Sequence, residues 1–153
     1  MRHPTSFIPR RWLATAVLAV LGSGTTLAAE MAPLQKVTVR AVAHFDFDST
    51  TMAAQDQQRL LAEVGTMKDV TWQTVTATGH TDSVGPPGYN ATLAQRRASA
   101  VKAYLTGQGL PATLVRTAAM GEVAPVADNT TEQGRAQNRR TEVVFEGVRA
   151  VAR

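Results

Sequence analysis

Cysteine is absent from the 153 residues. No disulfide framework and no zinc–thiolate site can form without it, and no thiol is present to carry a lipid. Also missing is an apolar run long enough to cross a membrane. The apolar stretch at residues 12–21 gives way to Gly22-Ser23-Gly24-Thr25-Thr26, well short of the roughly 20 residues a spanning helix requires. There is no internal repeat, no HExxH or comparable metal-ligand spacing, and no Gly-Lys-Ser/Thr ending of a phosphate-binding loop. The formal charge of +4 does not mark a basic face. Three of the sixteen basic residues are Arg2, Arg10 and Arg11, whereas the region from Glu30 onward balances thirteen basic against twelve acidic residues. A nucleic-acid footprint needs clustered cations, and Arg96-Arg97 and Arg139-Arg140 do not supply one; no nucleic acid is expected as a partner.

What is present begins with an export signal. Arg2, Arg10 and Arg11 form a basic leader, residues 12–21 an apolar segment, and Thr26-Leu27-Ala28-Ala29 a run of small residues suited to cleavage. The expected division is a signal peptide over 1–29, a linker over 30–36, one domain over 37–147 and a tail over 148–153. The expected location is the periplasm, with outer-membrane association coming only through binding.

Periodicity then outlines an α/β chain. Val37, Val39, Ala41, Ala43, Phe45 and Phe47 alternate with mostly polar residues, the mark of a half-buried strand. Ser49, Thr50 or Thr51 can cap a helix reaching about Lys68. Residues 70–78 form a second strand, 79–88 a loop, and 90–106 a helix that stops at Gly107 and Gly109. A third strand over 115–120, a loop, a helical turn over 132–137 and a last strand over 139–146 complete the pattern. The predicted fold is an α+β sandwich: a mixed four-stranded sheet in β-α-β-α-β-β order packed on two main helices.

The second helix carries an anomaly. Stepping 100° per residue from Leu93 collects Tyr104, Val101, Ala94, Leu105 and Ala98 within an arc of about 140°. Arg97 at about 40° and Asn90 at about 60° fall inside that apolar arc, while Arg96 lies towards its edge. An arginine aimed at a core must be paired, because an uncompensated buried charge costs several kcal/mol. Asp82 is the nearest candidate, at the carboxyl end of the preceding strand, where ligands of open α/β sheets collect. Two readings follow: a structural Asp82–Arg97 pair, or a receptor for a zwitterion in which Asp82 takes an ammonium and Arg97, helped by Asn90, takes a carboxylate. Catalysis by His80, Asp82 and Ser83 is disfavoured, since they crowd one short loop without a base held between nucleophile and acid. His44, His80, Asp46 and Asp48 lack the spacing of a metal site, and no cofactor is expected.

Several ordered motifs carry a resemblance. Phe45-Asp46-Phe47-Asp48-Ser49, Gly79-His80-Thr81-Asp82-Ser83-Val84-Gly85, Tyr89-Asn90, Arg96-Arg97-Ala98, Gly121-Glu122 and Gly134 through Glu142 closely resemble the OmpA-like C-terminal domain over roughly residues 42–146. The resemblance implies a non-enzymatic protein that binds peptidoglycan through the diaminopimelate of its stem peptide. Carried over by motif, Asp82 takes the ammonium and Arg97 the carboxylate, Asn90 and Thr81 support them, and Asp48 and Arg139 line the same pocket. Ala94 stands where the family often has serine, and Pro86-Pro87 stiffen the loop. The rival expectation is a periplasmic adaptor or assembly subunit whose partners are outer-membrane or envelope-complex proteins, with wall binding weak or lost.

Overall fold

The computed structural model describes residues 32–65 and 67–151; the predicted signal peptide lies outside them. Seven elements run in the order β1 (Leu34–His44), α1 (Ala54–Gly65), β2 (Thr71–His80), α2 (Pro87–Gly107), β3 (Val115–Gly121), α3 (Glu132–Asn138) and β4 (Arg140–Ala150). The sheet order is β1-β4-β2-β3. β4 is antiparallel to both β1 and β2, and β2 is parallel to β3. This is the expected mixed sheet, with the 132–137 turn developed into a true third helix.

Alternation explains the core. Val75 and Ala77 of β2 and Val143 and Phe145 of β4 are buried two residues apart, and Val39 and Ala43 of β1 four apart with Ala41 partly buried between them. Leu60 of α1 and Leu93, Ala98, Val101 and Leu105 of α2 close over them. Trp72 meets Phe145 edge-on, their centroids 5.8 Å apart. Tyr104 joins the helices by donating its hydroxyl to the Gln57 carbonyl at 3.1 Å.

The structure corrects six boundaries. β1 starts at Leu34, inside the expected 30–36 linker, and β4 continues to Ala150, inside the expected tail, because these ends pair with each other. β1 stops at His44 although the alternation continues to Phe47. Phe45 instead forms an isolated bridge with Met52, and Asp48 turns the chain with φ of 51°. α1 begins at Ala54 rather than at residues 49–51 and ends at Gly65 rather than Lys68. The buried Asp56 carboxylate in its first turn accepts the His44 backbone N–H at 2.8 Å, stapling the end of β1 to the start of the helix. Arg139 is the C-cap of α3, one residue before β4, and not a strand residue.

Candidate functional site

One close approach and one glycine turn build the site. At the end of β2, a Cβ on Gly79 would lie 1.9 Å from the Ala94 carbonyl oxygen, so only glycine lets α2 lie this close to the strand. Beyond it the chain passes through Thr81 and Asp82 to Gly85, whose φ of +102° favours glycine, and enters α2 through Pro86 and Pro87. Proline at the first helical position suits a residue whose N–H would have no helical partner.

Asp82 is buried and doubly engaged. Its Oδ1 accepts the Val84 N–H at 3.0 Å, and its Oδ2 accepts Arg139 Nη1 at 3.1 Å. Arg139 also donates from Nη2 to Glu132 at 2.9 Å and from Nε to the Phe45 carbonyl at 3.3 Å. Burial works against its charge, but the bonds to Glu132 and Asp82 outweigh that, so the guanidinium is held above the ordinary arginine value.

Arg97 is 1% exposed. The inward direction read from helical periodicity is correct, but the direct ion pair with Asp82 does not form. Among the described residues no carboxylate lies within ion-pair distance of it. Instead Nε donates to the Ser49 carbonyl at 2.9 Å, Nη1 to that of His80 at 3.0 Å and Nη2 to that of Asp46 at 3.0 Å. The guanidinium also sits 5.2 Å from the centre of the Phe45 ring. Burial pushes it down to about 10, with Asp82 opposing that at longer range and Arg139 reinforcing it; it remains a cation at neutral pH. A guanidinium has five N–H donors. Three go to carbonyls, leaving one on each terminal nitrogen.

Between α2 and the 45–49 segment lies a cleft of about 280 Å³, lined by Asp48, Asp82, Asn90, Arg97 and Arg139 with Phe47, Val84, Tyr89 and Leu93 among its apolar walls. It thus gathers five of the six predicted site residues. Thr81 is not among its lining: the side chain is buried, and its hydroxyl has no partner among the described residues. Asn90 spends its amide N–H groups on Glu122 and the Asp82 and Gly85 carbonyls, so it braces the loop. Tyr89 donates its hydroxyl to Asp48 across the cleft mouth, and that bond raises the tyrosine's pKa above its usual value. The strand does end before Asp48, but Asp48 lies exposed at the cleft mouth and not inward; the burial of Arg139 comes from a helix cap instead of strand parity.

Sequence reasoning missed Glu132, Glu122 and the Tyr89 hydroxyl. Glu132 had a readable signal, standing seven residues before Arg139 in a helical segment, two turns away on the same face. No signal marked the Glu122–Asn90 contact, which depends on a loop.

The cleft joins two buried cations to two carboxylates. His80, Asp82 and Ser83 form no catalytic chain, because Asp82 is bound to Arg139 and neither imidazole nitrogen of His80 has a hydrogen-bond partner among the described residues. Among those residues, no three of His, Cys, Asp and Glu gather to hold a metal. Fold and cleft together define an α+β sandwich with a charged cleft beside the end of β2 and the start of β4.

Residues 44–139 match the family model described as the OmpA family, and the chain belongs to that family. It is 39% identical over 114 residues to Outer membrane protein A of Bordetella avium, covering 74% of this chain and 59% of that protein. It is 35% identical over 100 residues to the peptidoglycan-binding protein ArfA of Mycobacterium bovis, covering 65% of this chain and 31% of the relative. The chain therefore spans only part of the relatives it matches. Among solved structures, the peptidoglycan-associated lipoprotein of Burkholderia pseudomallei superposes with a TM-score of 0.59 at 30% identity, covering 69% of this chain and 89% of that one.

Proposed function

We propose that this protein is an exported, non-catalytic envelope module that binds peptidoglycan, its cleft taking the zwitterionic free end of diaminopimelate in the stem peptide. The observation that carries the reading is the charge arrangement. Buried guanidinium N–H groups of Arg97 that remain unspent share a cleft with the carboxylates of Asp82 and Asp48. An α-amino acid head group presents ammonium and carboxylate on one carbon and matches both. Asp82 keeps acceptor capacity after its two bonds, since a carboxylate has about four lone-pair sites. In this reading Asp82 and Asp48 accept the ammonium, and Arg97 donates to the carboxylate. Asn90 and Arg139 hold the walls, and Thr81, buried behind them, supports them through its backbone N–H to the Gly121 carbonyl. The naming of one relative for peptidoglycan binding and of another for peptidoglycan association supports the choice of polymer.

Sedimentation with insoluble sacculi tests it. The purified protein should pellet with diaminopimelate-type walls, be released by free diaminopimelate, and liberate no soluble muropeptides. Asp82→Asn should weaken pelleting while the protein stays folded. Unchanged pelleting by Asp82→Asn and by a folded Arg97→Lys variant would assign the wrong cleft. A protein that never pellets belongs with adaptors that engage a protein partner.

A further inference from the structure

Across the 45–49 segment from the cleft lies a second concavity of about 790 Å³, within the roughly 300–1,000 Å³ of small-ligand sites. It runs between the end of β1, the start of α1 and the face of α3. Thr51, Met52, Gln57, Gln133, Gln137 and Arg139 help line it. Arg139 lines both concavities, so they share a wall.

The chemistry of the two differs. The cleft gathers ionised groups, whereas this groove brings three carboxamides together with Asp46 and His44. Gln133 and Gln137 stand one turn apart on α3, both exposed and without a hydrogen bond among the described residues. Gln57 donates its amide to the Met52 carbonyl at 3.1 Å, leaving its own side-chain oxygen. The cation here is already compensated: two of the three bonds the Arg139 guanidinium makes go to the carboxylates of Asp82 and Glu132 and the third to the Phe45 carbonyl. Met52 and Ala136 supply apolar surface. Neutral groups that both donate and accept, beside apolar patches, suit a ligand rich in hydroxyls and acetamides.

We infer that this groove is a subsite for the N-acetylated amino-sugar end of the same wall polymer, an inference that rests on the cleft reading above. Reach permits it. The two residues that join diaminopimelate to the lactyl ether of its sugar already span about 7 Å when extended, while a single side chain, Arg139, borders both concavities. A stem peptide anchored by its charged end in the cleft can lay its sugar across that shared wall. Asp46, on the groove side of the wall, adds an acceptor for hydroxyls.

The test compares a diaminopimelate-containing stem tripeptide with and without its N-acetylglucosaminyl-N-acetylmuramyl disaccharide, titrated into the purified protein and followed by NMR. The Met52 methyl and the Gln133 and Gln137 side-chain amides report on the groove; the Leu93 methyls and Arg97 Nε–H report on the cleft. The disaccharide form should move both sets and bind about tenfold tighter, the worth of one or two net hydrogen bonds. The double variant Gln133→Ala/Gln137→Ala, confined to exposed side chains, should erase that advantage and leave the bare tripeptide's Kd unchanged. Groove signals that stay still while cleft signals move would overturn the subsite and spare the cleft reading. Movement of the groove alone would spare the subsite and overturn the cleft reading, and silence in both would overturn the two together.

Discussion

Arg97 ties residues 45–49 to the rest of the domain, and its replacement by methionine isolates that role. Methionine keeps much of the volume but none of the donors. The His80 carbonyl, in the interior, loses a charged hydrogen bond of about 1.5–3 kcal/mol. The Ser49 and Asp46 carbonyls are only partly buried, so water replaces some of what they lose, and each costs about 0.5–1 kcal/mol. The contact with the Phe45 ring is worth about 1 kcal/mol more. Against these stands the relieved cost of burying a cation. The expected balance is a loss of about 3 kcal/mol. Urea unfolding should show it as a midpoint about 2 M lower, and thermal unfolding as a Tm about 12–20 °C lower. Arg97→Lys should recover less than half, because an ammonium is a point charge that cannot reach three diverging carbonyls. The neighbouring exposed Arg96→Met should stay within about 0.5 kcal/mol of wild type. If Arg97→Met falls within about 1 kcal/mol of wild type, the guanidinium does not hold this segment and the reasoning from its three carbonyls fails.

Gly79→Ala should cost more than about 2 kcal/mol, since its Cβ would press on the Ala94 carbonyl; Gly88→Ala, with nothing within 4 Å, should be neutral or slightly stabilising in the same thermal assay. Burial, joined by repulsion from Arg140 and opposed by Glu142, holds the His80 imidazole below its usual value. The folded state therefore binds that proton more weakly than the unfolded chain. Its contribution should be complete above about pH 6.5, be lost as pH falls through that value, and level off below the folded pKa. His80→Gln should flatten this part of the stability profile; an unchanged slope would place its origin elsewhere. Asn138 accepts the Val126 and Ala127 N–H groups and donates to Ala127 and Asn129. Asn138→Ala should cost about 2–3 kcal/mol and speed amide exchange at Val126 and Ala127 before it does so in the sheet.

The regular parts of the fold were legible because their signals are periodic. Alternation located the first strand and β-forming composition the second, and the 100° stepping of α2 placed Arg97 and Asn90 inward, where both are buried. Periodicity gives direction, though, and not what a side chain meets. The partners of Arg97 are backbone carbonyls, a group every residue possesses, so no residue type could announce them. The end of β1 was misread for a related reason. The Phe45–Phe47 alternation persists, but the bridge to Met52 and the left-handed turn at Asp48 depend on where α1 is pinned by Asp56. Arg139 was placed in the pocket by motif, and its true anchor, the Glu132–Arg139–Asp82 chain, links a helix face to a loop 57 residues distant from Arg139 in sequence.

The central claim is that the cleft recognises two opposite charges on one carbon. Calorimetric titration of the purified protein with diaminopimelate, and in parallel with Nα-acetyl-lysine amide, tests it most directly. The blocked lysine keeps a side-chain ammonium but has no carboxylate to set opposite Arg97. Diaminopimelate should bind at least about tenfold more tightly, the worth of a charge-assisted bond, and Asp82→Asn should weaken its binding. Equal affinity for the two ligands, or binding of neither, would contradict the account.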